Sequence, residues 1–287
     1  MEASLSLLCL ERRLVEKLRV GIIGGTGFYE PGILEDEQDV VVSTPYGSVG
    51  VKAGRYGDKD VVFLPRHGGD HSIPPHLINY RANIWALREI GVTRVIATAA
   101  VGSLHHELQP GDLVVVDQFL DFTKSRPQTF YEGGKDGVLH VDMTSPYCPA
   151  LREEIFKVAS VMGIKVHKKG TYVCTEGPRF ETPAEIRMFQ LLGGDVVGMT
   201  SVPEVVLARE ATLCYATIAM VTNYAAGISD HPLSHQEVIE MMRSSNQMLR
   251  RLIFQVIAQL PRERSCSCAS AADELGTLGK WLKEEGK

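Results

Sequence analysis

Two glycine-containing turns carry residue types that could bind an anion. Gly24-Gly25-Thr26-Gly27 follows the strand-like run Arg19 to Ile23, and Pro65-Arg66-His67-Gly68 follows Val61 to Leu64. Glycines let backbone amides approach an anion closely, and the guanidinium of Arg66 matches the geometry of phosphate oxygens. Taken separately, the first could be only a tight turn after a strand, and Arg66 in the second could form a surface ion pair. Because open α/β sheets bind ligands at the carboxyl ends of strands, the two turns together predict a phosphate site.

The first turn does not match the common nucleotide-binding motifs. After Gly25 and Gly27, the third glycine of a dinucleotide fingerprint is replaced by Glu30. The Gly-Lys-Ser/Thr of a P-loop is also absent from the sequence. The anion is therefore not predicted to be part of a dinucleotide or a nucleoside triphosphate.

Two longer motifs carry a family resemblance. They are Glu176-Gly177-Pro178-Arg179-Phe180-Glu181-Thr182 and Gly198-Met199-Thr200-Ser201-Val202-Pro203-Glu204. Together they resemble the purine nucleoside phosphorylase and methylthioadenosine phosphorylase family, and the resemblance runs from about Gly21 to about Leu260. It implies a single-domain α/β fold with a central mixed sheet flanked by helices. It also implies a pocket that binds a purine nucleoside beside inorganic phosphate and exchanges base for phosphate at the sugar carbon.

The resemblance assigns the phosphate and sugar sites residue by residue. Met199 is implied to pack beneath the ribose, although a methionine at a strand end is commonly part of the core. His67 and Asn223 are the residues implied to act in catalysis. The phosphate ligands implied by the matching motifs are Thr26, Arg66, His67, Ala99, Ala100 and Thr200.

Phosphorolysis of an N-glycosidic bond develops positive charge on the sugar and negative charge on the departing purine. An enzyme must stabilise both charges in the transition state. Bound phosphate is the nucleophile, so no covalent intermediate with a side chain is required. The base leaves more easily when N7 accepts a strong hydrogen bond. This route requires no metal and no other cofactor.

Thr222-Asn223-Tyr224-Ala225 bears on which purine is bound. Methylthioadenosine phosphorylases have Thr-Asp-Tyr-Asp at the matching positions, where the acids serve a 6-aminopurine. Asn223 instead offers an amide that can donate to O6 and N7 of a 6-oxopurine. Ala225 removes the second acid, so the motif disfavours adenine-type substrates.

Glu181 provides a second indication of the base. It matches the glutamate with which 6-oxopurine enzymes of the family accept the N1 hydrogen, and a 6-aminopurine has no hydrogen on N1. Alternatively, Glu181 could cap the helix that begins near Thr182. Phe180 is expected to pack against the sugar or the base.

His235 bears on the 5′ substituent of the nucleoside. It matches a histidine that 6-oxopurine phosphorylases have near the ribose 5′-hydroxyl, whereas methylthio-specific relatives prefer an apolar residue. A solvated histidine at a helix start is the alternative.

The sequence thus predicts a 6-oxopurine nucleoside phosphorylase of purine salvage, acting on inosine or guanosine. An S-methyl-5′-thioinosine or S-methyl-5′-thioadenosine phosphorylase is the first alternative, and a purine-binding protein without turnover is the second. The resemblance also implies a homotrimer or a dimer of trimers, with a neighbouring subunit contributing to the sugar pocket.

Composition limits the class of protein. Of 287 residues, 44% are apolar and 23% charged, which suits a globular enzyme. The net charge is -5, from 35 acidic and 30 basic residues, with no basic block for nucleic acid. The apolar runs are far shorter than the roughly 20 residues that cross a bilayer, so no membrane association is expected.

Six cysteines occur in the sequence, and they favour a reduced, cytoplasmic enzyme. Cys174 and Cys214 lie in apolar runs, where a thiol behaves as a small hydrophobic group. Cys266-Ser267-Cys268 could form a strained disulfide, react with a redox partner, bind a metal or remain two exposed thiols. We expect no second cysteine or histidine cluster near this pair to complete a zinc site.

Strand-like and helical stretches alternate along the chain, which predicts an α/β sheet covered by helices on both faces. Three regions are expected: an extension over 1–18, the phosphorylase domain over 19–260 and a polar tail over 261–287. The predicted strands are Arg19–Gly24, Val61–Leu64, Val95–Thr98, Leu113–Asp117, Gly170–Thr175, Asp195–Met199 and Ala216–Thr222. The predicted helices are Tyr80–Ile90, Ala150–Met162, Pro183–Leu192, Val202–Ala211 and Ser234–Gln259.

Overall fold

The computed structural model describes residues 18–25, 28, 32–69, 72–134, 137–229 and 235–272. Within these residues one mixed sheet of 11 strands forms the centre of the molecule. Its strands are β1 (Arg19–Gly24), β2 (Glu35–Thr44), β3 (Gly47–Tyr56), β4 (Lys59–Pro65), β5 (Arg94–Ser103), β6 (Leu113–Val115), β7 (Gln118–Phe122), β8 (Val166–His167), β9 (Thr171–Thr175), β10 (Val196–Gly198) and β11 (Cys214–Tyr224).

Strand β5 is the centre of the sheet. It pairs in parallel with β1 on one side and with the whole length of β11 on the other, and β1 in turn pairs in parallel with β4. The carboxyl ends of these four strands therefore meet at one edge. Strand β10 runs antiparallel to β5 and pairs with its carboxyl end, Val196 with Ser103 and Val197 with Gly102. Both central strands are almost wholly buried, as expected for parallel strands covered on two faces.

Five α-helices cover the sheet in the described part of the chain. Asn79 caps the first by accepting from the amide of Ala82, and Pro149 and Pro183 begin two others, where a missing amide hydrogen costs nothing. None of the described helices is long and apolar enough to span a bilayer. The helices are α1 (Tyr80–Glu89), α2 (Pro149–Val161), α3 (Pro183–Leu191), α4 (Ser201–Glu210) and α5 (His235–Gln259).

The core has two large layers, one on each face of the sheet, and a third, smaller cluster that includes Ile186 and Phe189 of α3. Side chains of α1 and α4 pack with one set of strand residues, which includes Val95, Ala97 and Val101. Side chains of α2 and α5 pack with the opposite set, which includes Ile96. This alternation along β5 follows from the two-residue period of a strand.

The fold confirms the predicted α/β class, and each predicted strand and helix has a counterpart within a few residues. Strands β2, β3, β7 and β8 were not predicted. Strand β2 lies at the edge of the sheet and is mostly exposed, so its first half, Glu35 to Asp39, lacks apolar alternation. Strand β8 has only two residues.

The first part of the predicted polar tail is docked on the core. Arg94 donates to the backbone carbonyls of Arg262 and Glu263, and Arg264 donates to that of Thr212. Residues 273–287 and residues 1–17 of the predicted extension over 1–18 lie outside the described residues, whereas Leu18 is described and buried.

Glu210 is a buried carboxyl group at the end of α4. It accepts hydrogen bonds from the amide of Phe130 at 2.9 Å and the hydroxyl of Thr129 at 2.8 Å. Burial outweighs these bonds and raises the pKa of Glu210 to about 7. A raised carboxyl pKa favours the folded state at low pH, and this contribution is lost as the pH rises through about 7.

We expect Glu210→Gln to flatten the pH dependence of the unfolding free energy between the ordinary value of 4.5 and about 7. The slope removed should be at most about 1.4 kcal/mol per pH unit. Urea unfolding from pH 5 to pH 8 measures it. Glu185→Gln is the control: the pKa of Glu185 is lowered to about 2, so its curve should run parallel to that of wild type. A parallel curve for Glu210→Gln would contradict the prediction.

Candidate active site

A cavity of about 390 Å³ lies where β1, β4, β10 and β11 end beside β5. Its volume lies in the range of small-molecule sites, about 300–1,000 Å³. Most residues predicted from the sequence line it: Arg66, His67, Ala99, Ala100, Phe180, Glu181, Met199, Thr200, Asn223 and Ala225.

Of the three remaining predicted residues only Tyr224 is fully described, and it does not line the cavity. Thr26 lies outside the described residues, although its neighbour Gly25 lines the cavity. Helix α5 begins at His235, whose side chain is also outside the description; Val238, three residues later, lines the cavity. The ring of Tyr224 instead lies 5.5 Å from that of His106.

Arg66 forms a buried ion pair that the sequence did not predict. Its Nε and Nη2 donate to the two carboxylate oxygens of Glu204, each at 2.7 Å, and Nη1 donates to the carbonyl of Thr98 at 2.8 Å. Burial lowers the pKa of Arg66, but the adjacent Glu204 carboxylate raises it above its ordinary value overall. The expected guanidinium fork is thus occupied by a carboxylate, and one hydrogen on each terminal nitrogen remains for an anion.

Because Glu204 cancels the charge of Arg66, an anion bound here would depend on directed donors more than on net charge. His67 Nδ1 lies 2.8 Å from the carbonyl of Ile73, so Nδ1 carries a hydrogen and donates. Thr200 is buried just before α4, and its hydroxyl does not cap the helix; the backbone of Val202 is extended, so the regular turns of α4 begin after that residue.

A bulge in β11 brings two consecutive side chains to the cavity. Val221 pairs with Val101 and Asn223 with Gly102, so Thr222 is an extra residue. Side chains normally alternate along a strand, but Thr222 and Asn223 both line the cavity. Gly102 makes room for this arrangement, since a Cβ there would lie 3.2 Å from Asn223 Nδ2.

The amide of Asn223 has a defined orientation. Its Nδ2 donates to the carbonyl of Tyr224 at 2.8 Å, and its Oδ1 accepts from the hydroxyl of Thr222 at 2.7 Å. A carbonyl can only accept, so the nitrogen must face Tyr224. One amide hydrogen therefore remains for a ligand. The backbone of Tyr224, and not its ring, is what positions Asn223.

Glu181 does not cap helix α3. Thr182 and Glu185 form a reciprocal capping box there, which leaves Glu181 for another role. Its carboxylate accepts from the hydroxyl of Thr175 at 2.6 Å and lines the cavity. Burial raises the pKa of Glu181, although the bond from Thr175 lowers it in part.

Arg126 joins the two motifs that carry the family resemblance. Its guanidinium is buried and donates to the carbonyls of Thr175 and Glu176 on one side. On the other side it donates to the carbonyls of Met199 and Val202, at 2.7 and 2.8 Å. One side chain therefore fixes the backbone before the base-pocket loop relative to the backbone beneath the sugar.

Glu204 and Arg126 are the site residues that sequence reasoning missed. Glu204 gave a signal, a lone carboxylate among the apolar residues at the start of a predicted helix. Its partner, Arg66, is 138 residues away in the sequence, so only the structure identifies the pair. Arg126 gave no signal in the sequence, because it lies in an irregular segment. Among the described residues its polar partners are backbone carbonyls, Tyr80 and Glu176.

Comparisons with known proteins agree with this fold. The model of the phosphorylase superfamily matches residues 19–258. A probable 6-oxopurine nucleoside phosphorylase of Moorella thermoacetica is 57% identical over 90% of this chain and 99% of its own length. The 6-oxopurine nucleoside phosphorylase of Pyrococcus furiosus is 54% identical over 88% of this chain and 97% of its own. A probable S-methyl-5′-thioinosine phosphorylase of Methanopyrus kandleri is 52% identical, with the same coverage.

Among solved structures, methylthioadenosine phosphorylase from Schistosoma mansoni in complex with adenine superposes with a TM-score of 0.85 at 38% identity. The match covers 90% of this chain and 97% of that one. The architecture is thus the nucleoside phosphorylase fold, with its cavity at the strand ends. The chain belongs to the phosphorylase superfamily.

We expect Arg126→Lys to lower the unfolding free energy by about 2–4 kcal/mol, because one ammonium group cannot reach the carbonyls on both sides. Misplacement of the two motifs should also reduce kcat/KM by up to about a hundredfold. Urea unfolding and steady-state phosphorolysis measure the two effects. Arg179→Lys is the control, since Arg179 is exposed and pairs with Glu185. Equal behaviour of the two variants would contradict the role of Arg126.

Proposed function

We propose that the protein is a 6-oxopurine nucleoside phosphorylase, which converts inosine or guanosine and phosphate to free base and ribose 1-phosphate. The observation that carries this proposal is the presence of a carboxylate, Glu181, and an amide, Asn223, in the cavity that Arg66 and Thr200 also line. A carboxylate accepts the N1 hydrogen of a 6-oxopurine and would repel the N1 lone pair of a 6-aminopurine.

Phosphate is proposed to bind between the remaining hydrogens of Arg66 and the start of α4. Thr26 and Thr200 supply further donors, His67 lies beside them at the cavity, and Ala99 and Ala100 form the backbone next to the phosphate. Met199 supports the ribose, Phe180 covers the sugar or base, and His235 meets the 5′-hydroxyl. The presence of Val238 in the cavity supports this role for the start of α5.

In the proposed reaction a phosphate oxygen forms a bond to C1′ as the bond from C1′ to N9 breaks. The bonding electrons pass to the purine, and negative charge develops at N7. The one available hydrogen of Asn223 Nδ2 is assigned to N7, because a donor aimed at developing charge is most effective. Deprotonated Glu181 holds N1–H, so activity should decline as the pH falls through the raised pKa of Glu181.

The names of the relatives support the 6-oxopurine assignment and also a second candidate, S-methyl-5′-thioinosine phosphorolysis. Methylthioinosine has the same 6-oxopurine base, so Glu181 and Asn223 suit it equally. The relative from Methanopyrus kandleri, at 52% identity, favours this candidate. Methylthioadenosine, by contrast, is disfavoured by Glu181 and by the apolar Ala225.

The first experiment is phosphate-dependent release of base from inosine, guanosine, adenosine, methylthioadenosine and methylthioinosine. We expect inosine and guanosine to be cleaved at least about a hundredfold more efficiently than adenosine, since mispaired buried polar groups cost several kcal/mol. Preference for methylthioinosine would favour the second candidate. Preference for methylthioadenosine would overturn the proposal, and absence of cleavage would favour a binding protein.

The same panel tests the base pocket with Asn223→Asp combined with Ala225→Asp. We expect the ratio of inosine to adenosine cleavage to fall, because two carboxylates replace the donor to a 6-oxopurine and can accept from a 6-amino group. Asn223→Asp alone is the matched variant, as Ala225 is buried among apolar residues and a carboxylate there is costly. An unchanged ratio in both variants would remove the role given to Asn223.

We further propose a cytoplasmic homotrimer or dimer of trimers in which a neighbouring subunit covers the sugar end of the cavity. The ring of Phe180, at the cavity, is 39% exposed in the single chain, and this supports a covering partner. Light scattering should give three or six chains per particle. A monomer with full activity would contradict this part of the proposal.

A further inference from the structure

Four cysteine side chains meet on the side of the core formed by α2 and α5. The sulfur atoms of Cys148, Cys214, Cys266 and Cys268 all lie within 4.8 Å of one another. Cys148 precedes α2 and Cys214 begins β11, whereas the other two lie in the docked segment after Leu260. The expectation that no further cysteine lies near the C-x-C pair is therefore wrong. Two thiols, far away in sequence, complete a group of four.

The spacing of these sulfurs suits a tetrahedral metal site. With zinc–sulfur bonds of about 2.3 Å, the sulfurs of a tetrahedral tetrathiolate are about 3.8 Å apart. The sulfurs of Cys214 and Cys266 are 3.3 Å apart, and no pair exceeds 4.8 Å. Two disulfides would instead group the sulfurs into two pairs, each about 2.05 Å apart.

Two hydrogen-bond donors contact sulfur atoms of the cluster. The amide of Leu151, in the first turn of α2, donates to Cys148 Sγ at 3.5 Å, and a helix amino end stabilises a thiolate. Arg209 Nη1 donates to Cys268 Sγ at 3.6 Å. Arg94 lines the same small cavity as Cys148, Cys214 and Cys266. These two arginines offset the double negative charge of a zinc tetrathiolate, as outer-shell partners of metal sites do.

The burial of the four cysteines indicates a structural metal site. Cys148, Cys214 and Cys268 are buried and Cys266 is partly buried. A site with four protein ligands has no open position for a substrate, which is typical of structural zinc. The ligand type also matters, because four thiolates select zinc over the hard cations magnesium and calcium.

We propose that these four cysteines bind one zinc ion, which fastens the segment after Leu260 to the amino ends of α2 and β11. Binding releases the thiol protons and yields four zinc–sulfur bonds with no change of oxidation state. The ion connects parts of the chain that are distant in sequence, so its loss should free the docked segment. The site is separate from the proposed catalytic cavity, with which it shares no lining residue.

The test is to purify the full-length protein without oxygen from cells grown with added zinc, and to measure metal content and free thiols. We expect one zinc ion per chain and, after replacement by cobalt, the absorption bands of tetrahedral cobalt thiolate. Chelation should lower Tm. Cys266→Ser with Cys268→Ser should lose the metal, and Cys174→Ser, which changes a buried thiol outside the cluster, should retain it.

Several results would overturn the proposal. One is a chain that remains free of zinc when the reduced protein is offered it. Another is a disulfide among the four cysteines in protein alkylated at the moment of lysis. If the double variant does not fold, the wild-type protein still decides the question, because cobalt either gives thiolate bands with four protected thiols or it does not. The catalytic proposal would survive each of these failures.

Discussion

The arrangement of the cavity depends on the hydrogen bonds that Arg126 donates to backbone carbonyls. A buried guanidinium is tolerable only when most of its donors are satisfied; here carbonyls from two distant segments accept from Nη1 and Nη2, and Nε lies 3.3 Å from a carboxylate oxygen of Glu176. The dependence is mutual, because Glu176 and Met199 lie outside the strands and helices, where neither a ladder nor a helix supplies a partner for their carbonyls. The loop carrying Phe180 and Glu181 and the turn carrying Met199 and Thr200 are thus held by one side chain that has no part in the chemistry.

A second constraint is the ion pair between Arg66 and Glu204. It places a positive group beside the proposed phosphate while leaving almost no net charge, so binding relies on hydrogen bonds with fixed directions. A fully buried pair of this kind is weak support for stability, since desolvation opposes the attraction. Its value here is positional: Glu204 and Thr98 hold the guanidinium plane, and only its remaining hydrogens face the ligand.

The sequence predicted the elements whose patterns are local and left out those that depend on distant contacts. Buried strands such as β5 and β11 are continuous apolar runs, and the Pro183 and Pro203 positions mark helix starts, so both kinds were recognised. The edge strand β2 was missed because half of it is solvated. The site motifs were found because each is contiguous, whereas the partners of Arg66 and of Cys266 lie far along the chain. No local pattern reports that kind of proximity.

The bulge at Thr222 has a consequence for how specificity can diverge in this fold. The extra residue Thr222 determines which side chains at the end of β11 face the cavity. Removing one residue there would turn a different set of side chains toward the cavity, without disturbing the pairing from Cys214 to Val221. A single codon deletion could then alter base recognition abruptly, while substitutions at Asn223 or Ala225 alter it by degrees. The last residues of β11 can therefore change while the rest of the sheet stays the same.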